Sequence, residues 1–169
     1  MSGWRQARAV AVLPGNVTLA VPALILLVGG GPNVGWGLGA ALAVLTVLLG
    51  SALIAAGFSL WLWTVRLFAR IGRGTLAPWD PTRKLVVEGP YRHVRNPMIS
   101  AVLMVLAGEA LVLGSPGILA WAAAFFAVNF AYFVLGEEPG LERRFGDQYQ
   151  AYKRAVPRWV PRRTPWSPS

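Results

Sequence analysis

Two long stretches of this sequence almost lack charge. Ala9–Val65 contains no charged residue, and Asn96–Gly136 contains a single one, Glu109. A helix needs about 20 residues to cross the hydrocarbon core of a bilayer, so each stretch is long enough for two crossings. Because 55% of the whole chain is hydrophobic, these stretches predict an integral membrane protein.

Each stretch is interrupted near its middle by residues that end helices. The interruptions are GGGPNVGWG at Gly29–Gly37 and GSPG at Gly114–Gly117. They predict helices over 10–28, 37–66, 97–113 and 118–136. The predicted fold is therefore all-α, a single membrane domain over 1–169 with about four transmembrane helices in two hairpins.

The basic residues predict the orientation of these helices. Of the 16 Lys and Arg residues, two lie in the N-terminal tail, seven within 66–95 and seven within 143–163, and neither hairpin tip contains any. The positive-inside rule then places both termini in the cytoplasm of a bacterial inner-membrane type of protein. Because the positive charge flanks the spans, we expect it to face lipid headgroups and not a nucleic acid.

Several kinds of site are not expected from the composition. The chain has no cysteine and one histidine. A disulfide framework and a thiolate nucleophile are therefore excluded, and we expect no metal site.

Two cytoplasmic segments contain most of the polar chemistry. The loop over 67–97 contains four prolines and is too stiff for a flexible linker. The run Glu137, Glu138, Pro139 resembles a helix start, and it predicts an amphipathic interfacial helix over 137–160, followed by an irregular tail over 161–169. The predicted topology returns the loop and this helix to the same membrane face, where we expect them to form one site.

These two segments also resemble a known signature. GTLAPWDPTRKLVVEGPYRHVRNPM, followed after a two-span hairpin by EEPGLERRFGDQYQAYKRAVPRWVP, is similar to the isoprenylcysteine carboxyl methyltransferase and phospholipid methyltransferase superfamily. The resemblance covers roughly 74–161. It implies an integral membrane enzyme that binds S-adenosylmethionine at the cytoplasmic surface and receives a hydrophobic or lipid acceptor from the bilayer.

The resemblance also implies site residues. Arg95 and Glu138 are the predicted catalytic residues. The predicted cofactor-binding residues are Tyr91, His93, Arg95, Asn96, Pro97, Glu137, Glu138 and Tyr149. The cofactor carries groups that suit them: a basic side chain of the loop can pair with its carboxylate, Glu137 or Glu138 with its ammonium, and a tyrosine ring with its adenine or sulfonium.

The acceptor is less constrained by the sequence. The predicted reaction is O-methylation of an isoprenylcysteine-like carboxylate. The alternatives are N-methylation of a phospholipid amine, an NADPH-dependent membrane reductase, and a non-catalytic membrane protein of the same fold. Ile99 and Asn129 stand where relatives commonly have Tyr and His, and Asn129 is expected to make a hydrogen bond between helices. Oligomeric state is left open by the sequence.

Overall fold

The computed structural model describes residues 15–72 and 84–167. The described residues form five α-helices and no β-strand, which confirms the all-α class. The helices are α1 (Asn16–Val28), α2 (Ala40–Leu67), α3 (Pro97–Leu113), α4 (Pro116–Tyr132) and α5 (Glu138–Ala155). Arg5 and Arg8, the two basic residues of the N-terminal tail, and Pro78 and Pro81, two of the four loop prolines, lie outside the described residues.

Two of the helical segments are long and apolar enough to cross a membrane. They are α2, with 28 residues, and the continuous helical segment Pro116–Ala155, with 40. Two shorter apolar helices, α1 and α3, complete the hairpins. The predicted ends at 28 and 113 coincide with the ends of α1 and α3, and the four crossings remain a prediction.

The two hairpin tips contact each other at one end of the bundle. The amide of Asn33 donates to the carbonyl of Leu113 (2.8 Å), and Trp36 Nε1 donates to the carbonyl of Leu111 (3.1 Å). Gly114 ends α3 in the left-handed conformation, with φ at 59°, and Ser115 caps α4 through its side chain. Both tips therefore lie at the same end, as the predicted topology requires.

Glycines allow α2 and α3 to pack backbone against backbone. A Cβ added at Gly50 would lie 2.7 Å from the carbonyl oxygen of Gly108, and one at Gly57 would lie 2.7 Å from that of Ala101. Helix pairs in membranes commonly associate through such small residues. This contact fixes α3, and with it the loop that precedes α3, against α2.

The helical path does not restart at Glu137, contrary to the sequence prediction. Residues Phe133–Glu137 form a π turn that joins α4 to α5, and the amide of Glu138 donates to the carbonyl of Phe133. The wider turn lets the chain continue past Pro139, which has no N–H to donate to the helical ladder. Glu137 and Glu138 therefore lie within one helical path instead of at a free helix N-terminus.

Helix α5 is bent and is shorter than the predicted 137–160. Gly146 has φ 49° and ψ −129°, a conformation open to glycine, and the helix changes direction there. Beyond this point Tyr149 and Tyr152 pack with Val156 in a small core, and the helix ends at Ala155.

The hydrogen bond made by the side chain of Asn129 also differs from the prediction. Its Nδ2 donates to the carbonyl of Phe125 (2.8 Å), one turn earlier in α4. Among the described residues this bond within α4 stands in place of the predicted bond between helices, so that prediction is wrong.

Candidate functional site

The segment before α3 is held rigidly by buried side chains. Val86, Pro90, Tyr91 and Val94 are all buried, and Gly89–Arg92 form one 3₁₀ turn. The hydroxyl of Tyr152 donates to the carbonyl of Tyr91 (2.7 Å) and so joins this segment to α5. The loop therefore presents Arg95 and Asn96 from a fixed backbone.

Glu138 is the centre of an ionic cluster that connects the loop, α5 and the chain beyond α5. It is 5% exposed. Arg95 Nη1 donates to its Oε1 (2.8 Å), while Arg158 donates from Nε to Oε1 (2.7 Å) and from Nη2 to Oε2 (3.0 Å). Lys153 lies 3.3 Å from Oε2 and 2.6 Å from Oε1 of Glu142. Both carboxylate oxygens of Glu138 are thus fully engaged.

The cations keep Glu138 ionised despite its burial. Burial raises the pKa of its carboxyl, but the hydrogen bond from Arg158 and the charges of Arg95 and Arg158 outweigh burial, so the pKa lies below its usual value of 4.5. A carboxylate held in this way is a poor proton acceptor. Its role in the cluster is to orient the two guanidinium groups.

Two adjacent donors at the start of α3 have no partner. Arg95 Nε and Asn96 Nδ2 are buried and make no hydrogen bond among the described residues. Asn96 occupies the N-cap position of α3 without using its side chain as a cap. Buried donors are rarely left unpaired, because each costs roughly 1–3 kcal/mol, so these two indicate a place for an acceptor group from a ligand.

The two predicted tyrosines, Tyr91 and Tyr149, are both buried. Tyr149 is 2% exposed. Burial, and then the neighbouring Glu138, raise the pKa of its hydroxyl, and the nearby Arg95 partly offsets that rise. Tyr91 packs against Phe68, with ring centroids 5.5 Å apart. Burial, and then the neighbouring Tyr152 and Glu137, raise the pKa of Tyr91 well above its ordinary value, so its hydroxyl remains protonated at neutral pH.

The C-terminal segment Val156–Ser167, here called the C-terminal strap, lies along the loop. It has no regular secondary structure. Its backbone pairs with the loop at three places: Arg95 N with Pro157 O (2.9 Å), Arg162 N with His93 O (3.0 Å) and Trp166 N with Arg92 O (2.9 Å). His93 Nδ1 also donates to the carbonyl of Arg162 (2.8 Å). The strap therefore borders the site together with the loop and α5.

A cleft of about 480 Å³ lies next to the loop. Its walls come from α2, the loop and the strap, and most of its lining side chains are apolar. The lining residues are Leu60, Trp63, Gly89, Pro90, Arg92, His93, Val94, Pro97, Pro161 and Pro165. Among these, Arg92 and His93 are the polar side chains, and both are basic.

The structure brings some predicted site residues together and separates others. Arg95, Glu138 and Tyr149 form one cluster, with Asn96 next to it, and Glu137 is half-buried one residue before Glu138. His93 and Pro97 instead line the cleft. Among the described residues, no group of three His, Cys, Asp or Glu could hold a metal ion.

Arg158 is the site residue that sequence reasoning missed. It donates two hydrogen bonds to Glu138, whereas Arg95 donates one. The available signal was a basic residue between Pro157 and Pro161, near the end of the segment predicted as the helix over 137–160.

Curated relatives match parts of the chain. It is 36% identical over 84 residues to protein-S-isoprenylcysteine O-methyltransferase B of Arabidopsis thaliana, a match that covers 46% of this chain and 40% of the relative. It is 37% identical over 65 residues to an uncharacterized protein of Haemophilus influenzae, covering 37% of this chain and all of that protein. The chain thus spans less than half the length of the first relative, and no solved structure matches significantly.

A sequence model of the family described as phospholipid methyltransferase matches residues 45–148. The matched range extends from α2 to α5 and includes Arg95, Asn96 and Glu138. It confirms the superfamily indicated by the paired sequence signature. The chain therefore belongs to the phospholipid methyltransferase family.

Proposed function

We propose that this protein is an S-adenosylmethionine-dependent methyltransferase that O-methylates the carboxylate of a hydrophobic acceptor at the cytoplasmic face of a membrane. The family and the apolar helices support a membrane methyltransferase in general terms. The observation that carries the cofactor assignment is the pair of unpaired donors, Arg95 Nε and Asn96 Nδ2, beside the buried Glu138 cluster.

The residues of the cluster fit the charged end of this cofactor. The two unpaired donors suit its carboxylate, because a charged acceptor forms strong hydrogen bonds with a guanidinium and an amide. Both oxygens of Glu138 are engaged by cations, so Glu137 is the better partner for the ammonium group. The buried Tyr149 lies close enough to Arg95 for the arginine to affect its pKa.

The bound cofactor would supply an electrophilic methyl group on its sulfonium. The protein then has to place an acceptor oxygen in line with that methyl and exclude water, effects that can contribute roughly 7–11 kcal/mol in well-oriented systems. A carboxylate acceptor needs no general base. This agrees with a site in which Glu138 stays ionised and is fully engaged, and in which Tyr91 keeps its proton.

The cleft supports the choice of acceptor. It is mostly apolar, includes Leu60 and Trp63 of a helix that is long enough to cross a membrane, and so suits a hydrocarbon chain. Its two polar side chains, Arg92 and His93, are basic and favour a carboxylate over a protonated amine. The name of the Arabidopsis relative indicates the same class of acceptor.

The bond that carries the transferred methyl group tests this proposal. Membranes containing the protein are incubated with methyl-labelled S-adenosylmethionine, and the extracted lipids are treated with mild alkali. We expect the label to be released as methanol, because alkali cleaves methyl esters and leaves N-methyl groups intact. Label that resists alkali would indicate N-methylation of an amine. The absence of label above that of membranes containing the Arg95→Ala variant would reject the proposed methyl transfer.

A further inference from the structure

We propose that Arg158, from the C-terminal strap, is a positioning residue that keeps Arg95 Nε free for the cofactor; this inference rests on the proposed function. The two arginines bind the same carboxylate in different ways. Arg158 contacts Glu138 side-on, through Nε and Nη2 at 2.7 and 3.0 Å. Arg95 contacts it end-on, through Nη1 alone at 2.8 Å.

The side-on contact fixes the plane of the Glu138 carboxylate. With Lys153 against Oε2, the two oxygens have no acceptor position left for a second N–H of Arg95. If Arg158 were removed, the carboxylate could accept Arg95 side-on through Nε and Nη2, which is the favoured fork geometry of such pairs. Arg95 Nε would then bind Glu138 and would be lost to the ligand.

The position of Arg158 is itself fixed by the loop that presents Arg95. The amide of Arg95 donates to the carbonyl of Pro157, the residue before Arg158 (2.9 Å). The next residue, Trp159, packs edge-on against Phe133 and Phe126, with ring centroids 5.9 and 5.0 Å away. Arg158 is thus held between two anchored neighbours, so its guanidinium approaches Glu138 from a defined direction.

The test compares ligands that differ only in the group contacted by Arg95 Nε. The purified full chain is titrated calorimetrically with S-adenosylmethionine and with its decarboxylated analogue. For Arg158→Ala we expect the Kd for S-adenosylmethionine to rise about 10- to 100-fold, the range typical of losing a residue that orients a metal ligand. The Kd for the analogue should change by less than about 3-fold, since it has no carboxylate to lose.

Two further variants separate this role from a general loss of structure. Arg158→Lys keeps the charge but has no fork, so S-adenosylmethionine binding should stay weakened even if Arg158→Ala fails to fold. Arg154→Ala removes an exposed arginine nearby and should bind both ligands like the wild type.

The outcomes are distinguishable. Equal weakening of both ligands by Arg158→Lys, or unchanged binding of both, would overturn the positioning role while leaving the proposed function intact. Failure of the wild-type protein to bind S-adenosylmethionine would overturn the proposed function itself, and the positioning role with it.

Discussion

Replacing Arg95 by alanine is expected to weaken S-adenosylmethionine binding about 100-fold. The change removes a donor that would face the cofactor carboxylate, and a hydrogen bond to a charged group is worth about 1.5–3 kcal/mol. It also removes one of the cations around Glu138, but Arg158 and Lys153 remain in contact with that carboxylate. The fold should therefore persist while the affinity falls. Calorimetric titration of the purified variant measures the loss.

Arg163→Ala is the matched control for this prediction. Arg163 is an exposed arginine of the strap and should be dispensable for binding. Arg95→Lys should recover only part of the affinity, because lysine provides a point charge without the planar donors. An Arg95→Ala protein that binds S-adenosylmethionine as tightly as the wild type would exclude Arg95 from the cofactor site.

Replacing Glu138 by glutamine is expected to destabilise the protein itself. Glu138 is the buried anion shared by Arg95, Arg158 and Lys153. Lys153 also pairs with Glu142, but the loss of Glu138 leaves the partly buried Arg95 and Arg158 without this counter-charge. Breaking such a pair typically costs about 3–5 kcal/mol. The thermal unfolding midpoint in detergent should fall clearly, and cofactor binding should be lost because both arginines lose their orientation.

Glu142→Gln tests whether the loss of stability expected for Glu138→Gln depends on the burial of Glu138. Glu142 also contacts Lys153, but it lies at a more exposed position, where an ion pair is worth about 0–1 kcal/mol. Its variant should unfold close to the wild-type temperature. Equal midpoints for Glu138→Gln and the wild type would show that the cluster contributes little to stability.

The stabilisation from Glu138 should depend on pH. Its pKa in the folded protein lies below the ordinary value of 4.5, so the folded state favours the ionised form. The contribution is fully present above that ordinary value and is lost as the pH falls from it through the lower folded pKa. The difference in unfolding midpoint between the wild type and Glu138→Gln should therefore shrink in acid.

Much of the fold could be predicted because local residues determine it. The Gly-rich tips ended α1 and α3 where the sequence indicated, since Gly114 can adopt the left-handed cap and Ser115 can cap the next helix. The π turn at Phe133–Glu137, which joins α4 to α5, could not be predicted in the same way. Acidic residues followed by proline are typical of a helix start, and a π turn that carries the helix past Pro139 has no simple sequence signal.

The site was predicted only in part, for a similar reason. Arg95 and Glu138 belong to motifs, and the structure pairs them at 2.8 Å. The docking of the strap depends on backbone hydrogen bonds such as Trp166 N to Arg92 O, which any residue other than proline can donate. Side-chain patterns therefore did not reveal the strap, and Arg158 was missed with it.

Titration of the purified wild-type protein with S-adenosylmethionine and, separately, with NADPH tests the central claim most directly. The unpaired donors at Arg95 and Asn96, beside a carboxylate cluster, predict saturable binding of S-adenosylmethionine and no binding of NADPH. Binding of NADPH alone would contradict the account in favour of a reductase. Binding of neither would contradict it in favour of a membrane protein that keeps the family fold without its chemistry.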